Sequence, residues 1–306
     1  MANPTVNDVH IDGPLANISI AYKNADYIAD QVFPNVPVTK KSDKYFVFTK
    51  SDWFRNEIAE RGPGTEAQEI DYGITTASYN CTTRALAKVI ADEVRANSDN
   101  PLRPDIEGVE LITDKLLLGR EARVAALTTG GSGLWGYSTT PTVQWSSDSS
   151  EPITDIEKLI DGVVGAIGRF PNVAVMSWAV WKALRNHPDL LERVKYTRTD
   201  SVVRPSDLEL WTGIPKILVG TQIFDSAKEG VTSVMGYVWG DQFWAGYVPA
   251  NASLMTPAAG YTFTWENRTV KRYRLDTRHA DKIEVEESTD KRISASDSGG
   301  VLYNCV

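Results

Sequence analysis

The feature that most constrains this chain is a long, aromatic hairpin near its N-terminus, residues 39–78. A β-prone stretch at residues 45–48 leads through a Trp-Phe-Arg corner to a Gly-Pro-Gly turn at residues 62–64, and a return stretch follows at residues 70–79. Two strands alone are only marginally stable in water. No core of its own flanks this hairpin, because the first convincing helix comes later. We therefore expect the hairpin to lie on a neighbouring copy of the chain.

Composition narrows the class of protein. The chain has 306 residues, enough for one large domain or two, and a net charge of −8, which argues against a general positive field for nucleic acid. No stretch approaches about 20 consecutive apolar residues, so no membrane span is predicted. The N-terminus lacks a signal-peptide pattern. The two cysteines, Cys81 and Cys305, are expected to be reduced.

The rest of the chain alternates between helical and extended patterns. Residues 1–38 hold four prolines and read as an extended arm. Helical spacing predicts one helix over residues 85–94 and a longer one that begins after Asp105 as its N-cap and ends at the glycines of residues 130–133. We call the longer one the spine helix.

A compact α/β unit is predicted for residues 150–249. Thr154 and Glu157 form a capping box that opens its first helix, and residues 173–176 and 217–220 read as buried strands. From residue 234 onward β patterns dominate, with separate strands expected at residues 261–265 and 270–275, among others.

Sequence motifs for catalysis are missing. No P-loop, HExxH or GxSxG pattern occurs, and three histidines give little material for triads or metal sites. Among them, His187 reads as a local hydrogen-bonding residue at a helix start. We predict no catalytic residue, no cofactor and no metal. Carboxylates are plentiful, so an acid–base pair of a hydrolase stays an alternative.

One basic stripe lies late in the chain. Lys271, Arg272 and Arg274 alternate with Tyr273 and could contact either DNA or another subunit. The ordinary alternative, a solvated strand face, has at least equal weight.

Several segments, taken in order, resemble the major capsid proteins of tailed bacteriophages. The first is Ala-Asp-Gln-Val-Phe-Pro at residues 29–34, followed by Lys-Ser-Asp-Lys-Tyr-Phe-Val-Phe at 41–48 and Arg-Gly-Pro-Gly-Thr-Glu at 61–66. Later matches include Asn-His-Pro-Asp at 186–189 and Ala-Gly-Tyr-Thr-Phe at 259–263. The resemblance covers residues 27–306. Each piece is weak alone, but the ordered set is fairly specific.

The resemblance implies an α+β fold of the Hong Kong 97-like capsid type. Its parts would be an N-terminal arm (1–38), an extended hairpin called the E-loop (39–78), a peripheral domain with the spine helix (79–149), an axial domain (150–249), return strands of the peripheral domain (250–288), and a C-terminal segment whose placement is left open (289–306).

It also implies a viral structural protein of the virion, made in the host cytoplasm. Copies would self-assemble as pentamers and hexamers into an icosahedral shell around double-stranded DNA, held without sequence preference and with no membrane. Because no charged helical segment precedes the arm, a fused scaffolding region is not expected, unless it was removed. A separate scaffolding protein and a portal are expected partners, with a decoration protein as an optional one.

Two other functions are alternatives to that of a phage capsid protein. An encapsulin-like shell holding protein cargo has a related fold, but its members tend to begin with a helix rather than a proline-containing arm. A hydrolase would stay a small oligomer with a deep polar pocket.

The predicted intersubunit contacts all lie on the long hairpin. The predicted contact residues are Tyr45, Phe46, Phe48, Trp53, Phe54, Arg55, Arg61, Gly62, Pro63 and Gly64.

Overall fold

The structure is a computed structural model and describes residues 27–48, 50–58, 60–97, 103–131, 133–195, 202–228, 230–251 and 256–306. It is an α+β fold. Its helices are α1 Ala29–Val32, α2 Lys50–Phe54, α3 Asp92–Ala96, α4 Pro104–Thr129, α5 Pro152–Ile167, α6 Trp178–Asn186, α7 Pro188–Lys195 and α8 Pro205–Thr212, with 3-10 turns at Asp276–Arg278 and Ser296–Ser298.

The strands form four sheets. Their bounds are β1 Asn35–Pro37, β2 Ser42–Phe48, β3 Ile74–Asn80, β4 Thr82–Ala91, β5 Tyr137–Thr139, β6 Val173–Ser177, β7 Ile217–Gly220, β8 Ile223–Asp225, β9 Met235–Tyr237, β10 Phe243–Gly246, β11 Gly260–Leu275, β12 Ala280–Ile293 and β13 Gly299–Leu302. The strand orders are β1-β11-β12-β4, β5-β13-β10-β6-β7, β2-β3 and β8-β9.

The five-stranded sheet carries the larger core. Every residue of β6 and of β10 is buried, as expected for strands at the centre of a covered sheet. Helix α5 packs one apolar face on this sheet through Ile156, Leu159 and Val163. The strand β13, near the C-terminus, lies between β5 and β10 and completes the sheet.

The spine helix, α4, packs across the other large sheet. Val109, Ile112 and Leu116 contact Val270 of β11 and Ile283 of β12 in a separate buried cluster. The helix begins two residues before the predicted first residue, so Asp105 lies in its first turn and is not the N-cap. Pro104 takes the first helical position, where a missing N–H costs nothing.

The helix predicted over residues 85–94 is wrong. Residues 82–91 form strand β4, which pairs antiparallel with β12 over ten residues, and only the short helix α3 follows. Leu86 and Val89 are exposed on this strand while Ile90 is buried, so the apparent helical spacing was not a buried face. Pairing with β12 stabilises residues 82–91 as a strand, and the helical spacing of residues 85–94 was too short a pattern to predict the secondary structure.

Two further boundaries differ from the prediction. Helix α5 begins at Pro152 with Glu151 as its N-cap, so Thr154 and Glu157 do not form a capping box. The strands predicted separately at residues 261–265 and 270–275 are one strand, β11, with irregular pairing to β12 between Thr264 and Thr269. A bulge interrupts the side-chain alternation without ending a strand, and therefore imitates a boundary in the sequence.

Candidate intersubunit surfaces

The base of the long hairpin is anchored in the chain's own core. The ring of Tyr79 stacks on Phe263 with ring centroids 4.7 Å apart, and the Tyr45 ring lies 5.4 Å from the same ring. The amide of Cys81 donates to the carbonyl of Lys41 at 2.8 Å and closes the base. Both Cys81 and Cys305 are buried free thiols, as predicted. The hairpin therefore leaves the body at a fixed place.

Beyond its base the long hairpin exposes its aromatic side chains. Phe46 is 59% exposed, Trp53 53% and Phe54 64%. Phe48, Trp53 and Tyr72 touch one another with ring centroids 5.9–6.4 Å apart, but none of the three is buried. Such a cluster presents large apolar area at little cost in conformational entropy, which suits a surface that another molecule covers.

The tip of the hairpin is a tight turn. The amide of Thr65 donates to the carbonyl of Gly62 at 3.2 Å, and Gly64 has φ +81°. A type II turn requires positive φ at its third residue and favours proline at its second, so the Gly-Pro-Gly order matches the turn. The side chain of Arg61 donates to the carbonyl of Thr65. The turn holds a polar, fully exposed tip.

Contacts between the hairpin and the rest of its own chain are few beyond the base. Lys50 Nζ lies 2.9 Å from Asp297 Oδ2, both partly exposed. The Phe54 ring lies over Gly168, while Arg55 pairs with Glu57 within the hairpin at 3.0 Å. The predicted contact residues are thus brought together on one projecting element. That they touch another subunit stays a prediction.

The predicted basic stripe is paired within the chain. Arg272 lies 2.7 Å from Asp281, Arg274 binds both Asp92 and Asp281, and Lys271 pairs with Glu286. These bonds hold the pKa of Asp281 at about 2, with Arg272 the largest cause. Asp281 thereby ties β12 to β11. Contact of the stripe with DNA or with another subunit stays a prediction.

The described end of the arm is fastened by a buried carboxylate that the sequence did not reveal. Glu121 of the spine helix accepts from the amides of Ile28, at 3.2 Å, and Ala29, at 2.8 Å, and from Trp239 Nε1 at 2.7 Å. Burial raises the pKa of Glu121. Strand β1 then pairs in parallel with β11. The arm before residue 27 lies outside the described residues.

A second exposed apolar surface was also missed. Ribbon β8–β9 and its connection expose four aliphatic side chains by more than half, while Phe224 of β8 is partly buried against the core of the chain. The available signal was the β pattern from Val234 onward, which predicts strands but not their exposure, and no strand was predicted at Val231. The four are Ile223, Val231, Val234 and Met235.

One serine–histidine pair in the described residues resembles part of a catalytic arrangement. Ser150 Oγ lies 3.0 Å from His187 Nε2, but the hydroxyl donates to the carbonyl of Ser147 at 2.8 Å and His187 Nδ1 accepts the amide of Asp189. Nε2, the ring nitrogen that faces Ser150, also lies 3.2 Å from the carbonyl of Ser147, so these hydrogen bonds brace the turn before α7. No group of three or more metal-ligating side chains occurs in the same residues. Nor does any helix there combine the length and apolarity of a bilayer crossing.

Comparison with known proteins connects this geometry to a family. No family model matches the chain. The major capsid protein of Pseudomonas phage JBD67 is 26% identical over 304 residues, covering 97% of each chain. The major capsid protein of Burkholderia phage BcepMu is 26% identical over 291 residues, covering 92% of this chain and 91% of that one. This chain is a relative of the phage major capsid proteins.

Solved structures agree on the fold. A phage-related protein from Bordetella bronchiseptica matches with a TM-score of 0.77 at 24% identity, covering 97% of this chain and 98% of that one. The capsid protein of cyanophage P-SCSP1u gives 0.62 at 11% identity, with coverages of 92% and 89%. A virus-like particle protein from Pyrococcus furiosus gives 0.56 at 11%, with coverages of 94% and 95%. The fold of this capsid-protein relative is the Hong Kong 97-like capsid fold, as the resemblance implied.

Proposed function

We propose that this chain is the major capsid protein of a tailed-phage head, whose copies assemble as pentamers and hexamers into an icosahedral shell enclosing double-stranded DNA. The observation that carries the proposal is the match to a phage major capsid protein over 97% of both chains. It is supported by a fold shared with capsid structures from end to end. A shell role needs no catalytic chemistry, and we propose none.

The exposed surfaces fit this role. The long hairpin, which corresponds to the E-loop, would lie over a neighbouring subunit and cover Phe46, Trp53 and Phe54. Arg55 and the turn at residues 61–64 would complete that contact. Interfaces are enriched in aromatic residues and arginine, and the hairpin supplies both.

We further propose the capsid domain names for the regions of the fold. The sheet under the spine helix would be the peripheral domain. The five-stranded sheet with α5–α8 would be the axial domain, with ribbon β8–β9 facing the capsomer axis. The domain boundaries expected from the sequence stay predictions.

Partners beyond the chain itself are part of the proposal. A separate scaffolding protein, a portal and optionally a decoration protein would join the shell, and the finished protein would reside in the virion after synthesis in the host cytoplasm. DNA would be held by confinement rather than by affinity. The intrachain pairing of Lys271, Arg272 and Arg274 supports weak DNA contact, because those charges are already compensated.

Of the two alternatives, the encapsulin-like shell shares the fold, so fold likeness alone does not separate it from a phage head. The two sequence relatives favour the phage head over the encapsulin-like shell, because both are phage major capsid proteins. A hydrolase finds no specific support among the described residues.

The deciding experiment is to express the full chain and follow assembly by light scattering and electron microscopy. Closed icosahedral particles are expected, either from the chain alone or with a scaffolding protein from the same genome. Isolated subunits should bind duplex DNA weakly, and moderate salt should abolish that binding. A protein that stays a small oligomer under both conditions would overturn the proposal.

A further inference from the structure

Five cationic side chains converge where the spine helix crosses β4, β11 and β12. Two carboxylates compensate them: Glu287, 3.4 Å from Arg123 and 3.7 Å from Arg268, and Asp30, 2.6 Å from Arg120. The cluster therefore carries more positive than negative charge. The five cations are Arg84, Arg120, Arg123, Arg268 and Lys291.

Three of these cations line an open cleft of about 300 Å³. Arg84, Arg123 and Lys291 form its charged wall, together with Leu127 and Asp290. The carboxylate of Asp290 accepts from Arg292 Nε and from the amide of Asn80, each at 2.8 Å. Its negative charge therefore compensates Arg292 rather than the cations of the cleft. We call this space the cationic cleft.

Lys291 is the least compensated member of the cleft. Its side chain is buried, with the residue 7% exposed, and Nζ donates to Thr289 Oγ1 at 3.0 Å; no described carboxylate pairs with it. Burial and the nearby Arg123 lower its pKa to about 7. The buried Nε atoms of Arg123 and Arg268 also lack a hydrogen-bond partner within the described chain. Buried cations of this kind are costly unless an anion joins them.

A carboxylate side chain fits this cleft better than a nucleic acid does. Because Lys291 is only 7% exposed and the cleft holds about 300 Å³, a single side chain matches the cleft in size, whereas a duplex would contact only its rim. The chain supplies such groups on the long hairpin, where Glu60, Glu66 and Glu69 are exposed. The backbone of residues 60–73, which carries all three glutamates, belongs to no strand. Opposite charge on two exposed parts of one sequence is the complementarity expected at a self-assembling interface.

The stem of the long hairpin leads away from the cleft of its own chain. The cleft adjoins the hairpin's base, because the amide of Asn80, at the end of β3, binds Asp290. Strand β2 then extends seven residues away from that base, which is about 23 Å at 3.3 Å per residue. Because β2 and β3 stay paired, the segment that carries the glutamates starts at that distance from the cleft. A second copy can present these glutamates without folding that segment back over its own stem.

We infer that the cationic cleft binds a glutamate of residues 60–69 from the long hairpin of a second copy of this chain. The inference rests on the proposed self-assembly and names the receiving site. The cleft compensates its buried cations only when subunits join, so the contact favours the assembled state over the free subunit.

A peptide test separates this inference from shell formation. A fluorescent peptide of residues 57–71 is titrated into full-length, unassembled subunits and binding is followed by anisotropy. Arg123→Gln should weaken binding about tenfold or more, as should glutamine at positions 60, 66 and 69 of the peptide. The matched control, exposed Arg185→Gln, should leave it unchanged. Peptide binding that Arg123→Gln does not alter would overturn the inference.

Competition identifies the chemistry of the occupant. Inorganic phosphate and a short DNA duplex are added to the peptide complex at physiological salt, and neither should displace the peptide. Displacement by the duplex, or no peptide binding at all, would overturn the assignment to the hairpin. If Arg123→Gln lowers the melting temperature, Arg84→Gln at the cleft rim provides the same test.

Charge exchange tests the site in assembled particles. Arg123→Glu should reduce closed shells, and adding Glu66→Arg with Glu69→Arg should restore part of the yield. Normal shells from Arg123→Glu would overturn the inference while leaving the proposed function intact. Failure of the unchanged chain to form shells would instead defeat the proposed function, and peptide binding would still report on the cleft.

Discussion

The spine helix and the long hairpin are both extended elements, yet they differ in where their apolar side chains go. The helix buries Val109, Ile112 and Leu116 against two strands of its own sheet. The hairpin leaves Phe46 and Phe54 more than half exposed. One element is completed within the chain, whereas the other is completed only by a second molecule.

This difference distinguishes the stability of the folded subunit from the stability of the assembly of subunits. Side chains buried within the chain contribute to folding, about 1.5–3 kcal/mol for each large apolar group. Exposed aromatic side chains contribute to the free subunit hardly at all, and their energy becomes available on assembly. Substitutions in the helix should therefore change the free energy of unfolding, and substitutions in the hairpin should change the free energy of association.

The largest expected effect is on folding, from Leu116→Asp in the spine helix. The substitution removes a buried apolar side chain and buries an unpaired carboxylate, at a cost of about 3–5 kcal/mol or more. We expect insoluble or unfolded protein, measured by soluble yield and circular dichroism. Leu111→Asp on the exposed face of the same helix is the control and should fold normally. A soluble, cooperatively folding Leu116→Asp protein would contradict the burial assigned here.

The next effect is on assembly, from replacing residues 58–66 of the long hairpin by a short Gly-Ser turn. The removed residues make few contacts with the body, so the free energy of unfolding should change by less than about 1 kcal/mol. Closed shells should disappear in electron micrographs. The control, exposed Gln68→Ala in the same loop but outside the replaced residues, should still assemble. Normal shells from the shortened chain would show that the hairpin tip is dispensable.

Local sequence patterns predicted the self-contained parts of the fold well. A continuous apolar run identified β7, and a broad apolar stripe identified the spine helix, because burial within one chain requires apolar side chains close together along the sequence. The prediction failed at β4, where Leu86 and Val89 face solvent and only Ile90 is buried. Edge strands of this kind are decided by pairing with a distant strand, which a local window does not see.

The candidate interfaces were predicted less completely. The aromatic hairpin was recognisable because its rings cluster in sequence without a nearby core. The cationic cleft was not, because Arg84, Arg123 and Lys291 lie more than 30 residues apart along the chain and meet only through the pairing of β4 with β12. The clamp made by Glu121 was hidden for the same reason, since it joins groups 92 and 118 residues away.

A smaller effect should appear in the pH dependence of free subunits. In the folded chain the pKa of Lys291 is lowered to about 7 from the ordinary lysine value of 10.5, so between pH 7 and 10 the unfolded chain binds more protons. The free energy of unfolding should therefore rise with pH, by up to about 1.4 kcal/mol per pH unit. Arg84, Arg120 and Arg123 face this lysine, opposed by Glu287.

Denaturant melts at several pH values, compared between the unchanged chain and Lys291→Met, measure this contribution. The free energy of unfolding of the unchanged chain should rise relative to that of Lys291→Met as pH rises from 7 to 10, and the exposed Lys228→Met variant, which keeps Lys291, should rise in parallel with the unchanged chain. An equal slope in all three proteins would mean that Lys291 is compensated in the free subunit, and the cleft would then need no incoming carboxylate.

The smallest expected effect concerns the ion pair that joins the long hairpin to the body of its own chain. Lys50 and Asp297 lie 2.9 Å apart, but both side chains are 40% exposed or more. Solvent screening limits such a pair to about 0–1 kcal/mol. Lys50→Gln should therefore lower the free energy of unfolding by less than 1 kcal/mol in denaturant melts. Asp297→Asn should have the same effect, and the double variant should cost no more than either single one, because each breaks the same bond.

A loss above about 2 kcal/mol from Lys50→Gln would mean that the hairpin is held by its own subunit. The contrast with the spine helix would then fail, since the hairpin would contribute to folding and would have to be released before it could reach a neighbour.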